Sequence, residues 1–229
     1  MSTLATLLGS PTVQTVAAGA GVLGALAGLL GTFALLRRQS LLGDALSHAA
    51  LPGVCLGFTL AGTRSLPALL AGALMTATLA ALMMMLIVRR TRLKQDAALG
   101  ITLSFFFAIG LVLLTRIQAT GGAAQAGLST FLFGQAAAML QADVALITIV
   151  AALCAIALAL FWKQVAVTVF DRDFAHVSGF PVVATEFLLT ISVAVAIVLG
   201  LQIVGVVLMV ALLIAPAAAA RQWTASLGA

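Results

Sequence analysis

Long apolar runs broken by short polar punctuation dominate this chain. Crossing about 30 Å of hydrocarbon takes roughly 20 helical residues. Runs of that order lie at Val13–Leu36, Leu41–Ala61, Leu66–Val88, Ala97–Leu114, Val144–Trp162, Val182–Gly200 and Ile203–Ala220. The pattern predicts an all-α, polytopic membrane helical bundle of about seven spans. No tandem repeat or low-complexity linker interrupts it, so residues 1–229 read as a single transmembrane domain. Almost no loop separates the first run from the second, or the sixth from the seventh, so each pair is expected to form a tight hairpin. Gly19, Gly21, Gly24, Gly28 and Gly31, set among alanines in the first run, allow the close backbone approach that membrane helices use in place of a hydrophobic drive. Gly121, Gly122 and Gln125 mark the longest external loop. The apolar piece Leu128–Leu140 that follows reads as an interfacial or re-entrant helix, on a surface open to an external partner.

The bases decide orientation. Threading the chain with its amino terminus outside puts Arg37, Arg38, Arg89, Arg90, Arg92, Lys94, Lys163, Arg172 and Arg221 in the cytoplasm and leaves only Arg64 and Arg116 outside. That asymmetry is what the positive-inside rule requires. No Lys or Arg precedes Arg37, whereas a cleavable signal opens with a basic segment, so the first run reads as a retained span.

Composition excludes several classes. The chain is 63% hydrophobic and only 7% charged, against about a quarter charged in soluble domains. Its net charge of +5 sits at the ends of apolar runs, without the basic groove pattern or interleaved aromatics of a nucleic-acid binder. Cys55 and Cys154 both lie in apolar stretches, where a thiol behaves as a small hydrophobe, so no disulfide is expected. There is no phosphate-cradling loop ending in Gly-Lys-Ser/Thr, no paired zinc-protease histidines and no serine nucleophile motif. The chain reads as a non-enzyme that does not itself hydrolyse ATP.

The most chemically loaded stretch runs from Arg37 to Val54. On a helix Ser40, Asp44 and His48 recur every four residues and share a face, with Ser47 beside them. Pro52 has no N–H, so the His48 carbonyl loses its helical partner, and Gly53 follows. Asp alone suits a helix start and His alone suits interfacial packing. Together inside an apolar run they are costly, which points to a polar path. The run begins near Leu41, so Asp44 lies only a few residues from the cytoplasmic side. Glu186, the other acid within an apolar run, is a tentative second metal ligand or an interfacial anchor. Between the fifth and sixth spans, Phe170, Phe174 and Val177 form an apolar stripe on a short helix, with Asp171, Arg172, Asp173 and His176 facing away and Gly179 and Pro181 as stop signals. The lesser alternative is an amphipathic helix lying on the membrane surface.

The run Gly43-Asp44-Ala45-Leu46-Ser47-His48-Ala49 followed by Leu51-Pro52-Gly53-Val54 resembles the hallmark of the metal-type ABC importer permeases, the membrane subunits that carry manganese, zinc or iron across bacterial inner membranes. The resemblance continues at Asp96 to Ile101, Leu132-Phe133-Gly134, Asp173 to Gly179, Leu201 to Gly205 and Ala215-Pro216-Ala217. It implies a multi-pass permease of the bacterial cytoplasmic membrane that works as a homodimer. Its partners would be a cytoplasmic ATP-binding subunit, which uses the ATP, and an external metal-binding protein, with no nucleic acid. The metal would be transported cargo, with no permanently bound cofactor. By matching position, Asp44 and His48 would meet the metal, and Asp173, Ala175 and Gly179 would belong to the motif that docks the ATPase, with Phe170, Phe174 and Val177 as its apolar face. The Leu51-Pro52-Gly53 ending is more similar to the manganese and iron branch than to the zinc branch, so manganese is favoured. Such permeases continue with at least one further apolar span, so the given sequence is expected to be cut short or this member to be a short one. The rival from another class is a proton-coupled secondary cation transporter titrating Asp44 and His48.

Overall fold

The computed structural model describes residues 10–39, 41–62, 66–119, 134–136 and 139–223. Ser40, Arg64, Gly121, Gly122, Gln125 and most of the Leu128–Leu140 piece, with Leu132 and Phe133, lie outside the described residues. Among the described residues the regular structure is helical: α1 Pro11–Leu36, α2 Leu42–Ala61, α3 Leu66–Arg90, α4 Gln95–Ala119, α5 Gln141–Leu160, α6 Trp162–Phe170, α7 Arg172–Val177 and α8 Val182–Trp223.

Five of these helices, α1, α3, α4, α5 and α8, are long and apolar enough to cross a membrane by length and composition. The sequence pattern predicts about seven spans, and the difference has two physical sources. Helix α2 has the length but is diluted by Asp44, Ser47, His48 and Pro52. The last two predicted spans occur within the single run α8, whose backbone is non-helical only at Gly205 (φ 75°, ψ 176°). Residues nine apart on a straight helix are separated by about 13.5 Å, beyond the reach of a side chain, yet Met209 packs directly against Gly200. The two arms of α8 therefore bend back toward each other at Gly205.

Helix α2 is the centre of the bundle, packed against α3, α4 and α8. Gly53 rests on the backbone of Gly72, and Gly57 on that of Ala68, so α2 and α3 run antiparallel with their main chains almost touching. Leu51 covers Gly110 of α4, and His48 meets Phe107 one turn earlier, which makes α2 and α4 parallel. The second arm of α8 closes the other side, where Leu213 is wedged between Gly31 of α1 and Gly43 of α2. Of the first-run glycines, Gly31 lies against the Leu213 backbone and Gly19 against Met139, whereas Gly28 has only ordinary contact with Pro216 and a Cβ at Gly21 or Gly24 would meet nothing within 4 Å. Helix α5 lies along α1, with Asp143 capping its start by accepting from the Leu140 amide at 2.9 Å. Cys55 and Cys154 are both free thiols.

Candidate functional site

Small residues let α2 bury nearly all of its circumference. Every residue from 42 to 55 is buried except Asp44 and His48. Helical spacing puts these two on one face, where the His48 Nε2 lies 3.3 Å from the Asp44 Oδ1, with the side chains 31% and 39% exposed respectively. The edge of the imidazole meets the Phe107 ring of α4, centroids 4.9 Å apart and planes at 76°. Ser47, placed beside them by the sequence pattern, is buried and donates back to the Gly43 carbonyl at 2.7 Å. It is thereby removed from the open face. Pro52 and Gly53 are both buried, and Gly53 is the point of closest approach to α3.

An acid and an imidazole half-exposed on a helix that is otherwise buried from residue 42 to 55 would be costly against lipid. Their donor set, one carboxylate oxygen and one imidazole nitrogen, suits a divalent transition metal such as zinc or manganese. Among the described residues no cluster of three or more His, Cys, Asp or Glu side chains could hold a metal ion. Asp44 lies in the first turn of α2, where the helix dipole also favours a carboxylate.

Glu186 belongs to a different constellation. Its buried carboxylate is shared by three guanidiniums: Arg172 Nε at 3.1 Å, Arg37 Nη2 at 3.5 Å and Arg89 Nη2 at 3.5 Å. Three guanidiniums around one carboxylate leave a net positive charge, which disfavours a divalent cation at Glu186. That carboxylate joins the ends of α1 and α3 and the start of α7 to the first arm of α8. Burial lowers the Arg37 pKa from its ordinary value, Glu186 opposes that shift and Arg172 adds to it. Nothing in the linear sequence signals this convergence, because the four residues come from four separate segments. It also ties Arg172, whose side chain stays half-exposed, to the first arm of α8.

The segment between α6 and α8 follows its local code. The Asp171 carboxylate caps α7 by accepting from the Phe174 amide at 2.9 Å. At the other end the Phe180 amide donates to the Ala175 carbonyl at 3.0 Å and the Gly179 amide to the His176 carbonyl at 3.2 Å, with Gly179 at φ 77°. This is a Schellman termination, and it requires the left-handed residue. Phe170, Phe174 and Val177 are all exposed, Val177 at 86%. Asp173 is exposed as well, while Ala175 is fully buried and seats the helix on the body of the protein.

Two segments remote in sequence also meet. Gly134 presses against the backbone of residues 203–205, and the Gln135 amide donates to the Gln202 carbonyl at 3.1 Å, beside the bend in α8. The sequence marked both segments, but only the fold pairs them. Phe107 is the other residue that sequence reasoning missed, because the register of α4 against α2 is set by the Leu51–Gly110 contact.

Known proteins resemble this chain over nearly its whole length. The zinc transport system membrane protein TroC of Treponema pallidum is 48% identical over 227 residues, covering 99% of this chain and 76% of that protein. The manganese transport system membrane protein MntC of Bacillus subtilis is 47% identical over 214 residues, covering 93% of this chain and 49% of that protein. The solved structure of PsaBC from Streptococcus pneumoniae in complex with Fab superposes with a TM-score of 0.82 at 35% identity, over 98% of this chain and 78% of that one. The ABC 3 transport family description matches residues 10–229. A helical bundle sealed around an Asp–His face, matched along nearly its whole length, is thus a multi-pass membrane protein that belongs to the ABC 3 transport family of metal transport permeases.

Proposed function

We propose that this chain is the permease subunit of an ATP-driven importer that passes a divalent transition metal, manganese in preference to zinc, from an external binding protein to the cytoplasm. The observation that carries this reading is that α2 is buried from residue 42 to 55 except at Asp44 and His48. Family membership and relatives named for zinc and for manganese transport support it. In this reading α2 and the two arms of α8 each cross the bilayer, giving seven spans with the amino terminus outside. That orientation puts Arg37, Arg89 and Arg172 on the cytoplasmic side, as the positive-inside rule requires.

Asp44 supplies a charged oxygen and His48 a neutral nitrogen, replacing water that the ion loses on entering an apolar interior. A second copy of the chain facing this open side supplies the remaining ligands and keeps the pair from lipid. The exposed Phe170, Phe174 and Val177 face of α7 receives a separate ATPase subunit, and the Arg172–Glu186 contact passes its movement to α8. The test is metal uptake into vesicles by the permease reconstituted with its ATPase and binding protein. Asp44→Asn preserves shape and removes charge, and it abolishes uptake while assembly persists. A simple helix-start acid tolerates Asn nearly as well as Asp, so wild-type uptake by an assembled Asp44→Asn transporter would refute the role.

A further inference from the structure

The Glu186 constellation is unbalanced. Three guanidiniums converge on one carboxylate, which leaves two positive charges without a second carboxylate partner among the described residues. Arg37 is largely enclosed, but the Arg89 and Arg172 side chains remain 32% and 51% exposed and turn part of that excess outward. An unmet donor accompanies the unmet charge. Gln39 is 1% exposed, and both its side-chain nitrogen and oxygen lack a hydrogen-bond partner. It lines a void of about 20 Å³ among the same arginines, room for about one water molecule.

A second feature adjoins the first. Between α3 and the start of α8 runs an open groove of about 380 Å³, lined by Leu82, Met85, Leu86, Val183 and Phe187, with Arg89 at its edge. Arg89 and Met85 border both the groove and the polar void. An apolar slot that ends at a surplus of guanidiniums is complementary to one kind of molecule, with a hydrocarbon chain at one end and a phosphate at the other. Guanidinium forks pair with phosphate oxygens in a planar, bidentate manner that an ammonium does not reproduce. Basic pockets between membrane helices on the cytoplasmic side are sites for anionic headgroups.

We propose that this groove is a specific site for an anionic phospholipid, one acyl chain lying on Leu82, Leu86 and Phe187 and the headgroup phosphate held by Arg89 and Arg172. The bound lipid completes the charge around Glu186 and ties the end of α3 to α7 and α8. A neutral zwitterionic lipid fills the slot equally well but brings its own cation and leaves the excess charge in place.

The test uses the permease assembled with its ATPase subunit and purified from bilayers of equal phosphatidylglycerol and phosphatidylcholine, with the retained lipids identified by native mass spectrometry. Phosphatidylglycerol is expected to be enriched about fivefold, the worth of roughly one favourable charge near the membrane surface. Arg89→Gln, which leaves Glu186 paired with Arg37 and Arg172, should erase that enrichment. Ala184→Trp fills the groove and keeps every arginine in the chain, and it should also lower retention. Equal retention of the two lipids, or undiminished enrichment in Arg89→Gln, overturns the proposal. So does displacement of the lipid by millimolar inorganic phosphate, which would make this a free-phosphate site. Retention only when the ATPase is absent overturns it as well, since the groove would then be covered by protein.

Discussion

Gly53 of α2 and Gly72 of α3 face each other so closely that a Cβ built on either would strike the backbone carbonyl of the other. Two main chains meet here with nothing between them, directly after Pro52. Van der Waals approach of this kind holds membrane helices together where apolar side chains gain little over lipid. Gly72→Ala is therefore expected to push α3 away from α2 and cost about 1–3 kcal/mol, the range for overpacking a well-filled interior. Thermal unfolding in detergent measures it. Gly100→Ala is the matched control, since a Cβ there meets nothing within 4 Å, and its unfolding should be unchanged or slightly later.

Gly205 carries the bend in α8 with a backbone conformation, φ 75° and ψ 176°, that is essentially closed to other residues. Gly205→Ala should cost about 1–3 kcal/mol in strain and loosen the contact between Met209 and Gly200. A cysteine pair at positions 200 and 209, cross-linked in the otherwise native protein, reports the arrangement directly. Fast cross-linking in the parent and slow cross-linking in Gly205→Ala is the expected result. Equal rates would show that the bend does not need glycine.

Gly179 ends α7 at φ 77° with open space around it, so a substitution there acts through the backbone alone. Gly179→Val should impair the helix end, because β-branched residues tolerate positive φ poorly. In the proposed assembly, ATPase stimulation falls while the bundle stays folded. Phe174→Ser removes part of the exposed apolar face without disturbing the helix end, and should weaken ATPase binding instead. Normal co-purification and normal stimulation in both variants would remove this segment from the docking role.

In the proposed reading His48 offers the ion an imidazole nitrogen. His48→Gln keeps hydrogen bonding and removes that nitrogen, so metal uptake by the assembled variant should fall well below wild type while ATP hydrolysis, recorded in parallel, persists. If uptake and hydrolysis fall together, the change acts through the ATPase and not at His48.

Much of this protein was legible from its linear order, because membrane helices are local objects. Each satisfies its own backbone hydrogen bonds, so the length of an apolar run announces it, and an acid four residues before an imidazole shares its face wherever the helix is placed. The Schellman end at Gly179 was equally local. What the order of residues could not supply was distance between segments. It marked Asp44 and His48 but not the sealing of the rest of α2, which depends on glycines of α2 and α3 meeting. It offered Glu186 as a tentative metal ligand or an interfacial anchor, and only the convergence of Arg37, Arg89 and Arg172 from three other segments made that carboxylate a clamp. The last two apolar runs read as separate spans, but hydropathy could not say that a single glycine rather than a loop divides them. Only the tertiary structure brings Gly134 against Gly205 and the Gln135 amide onto the Gln202 carbonyl, because those contacts join segments far apart in sequence.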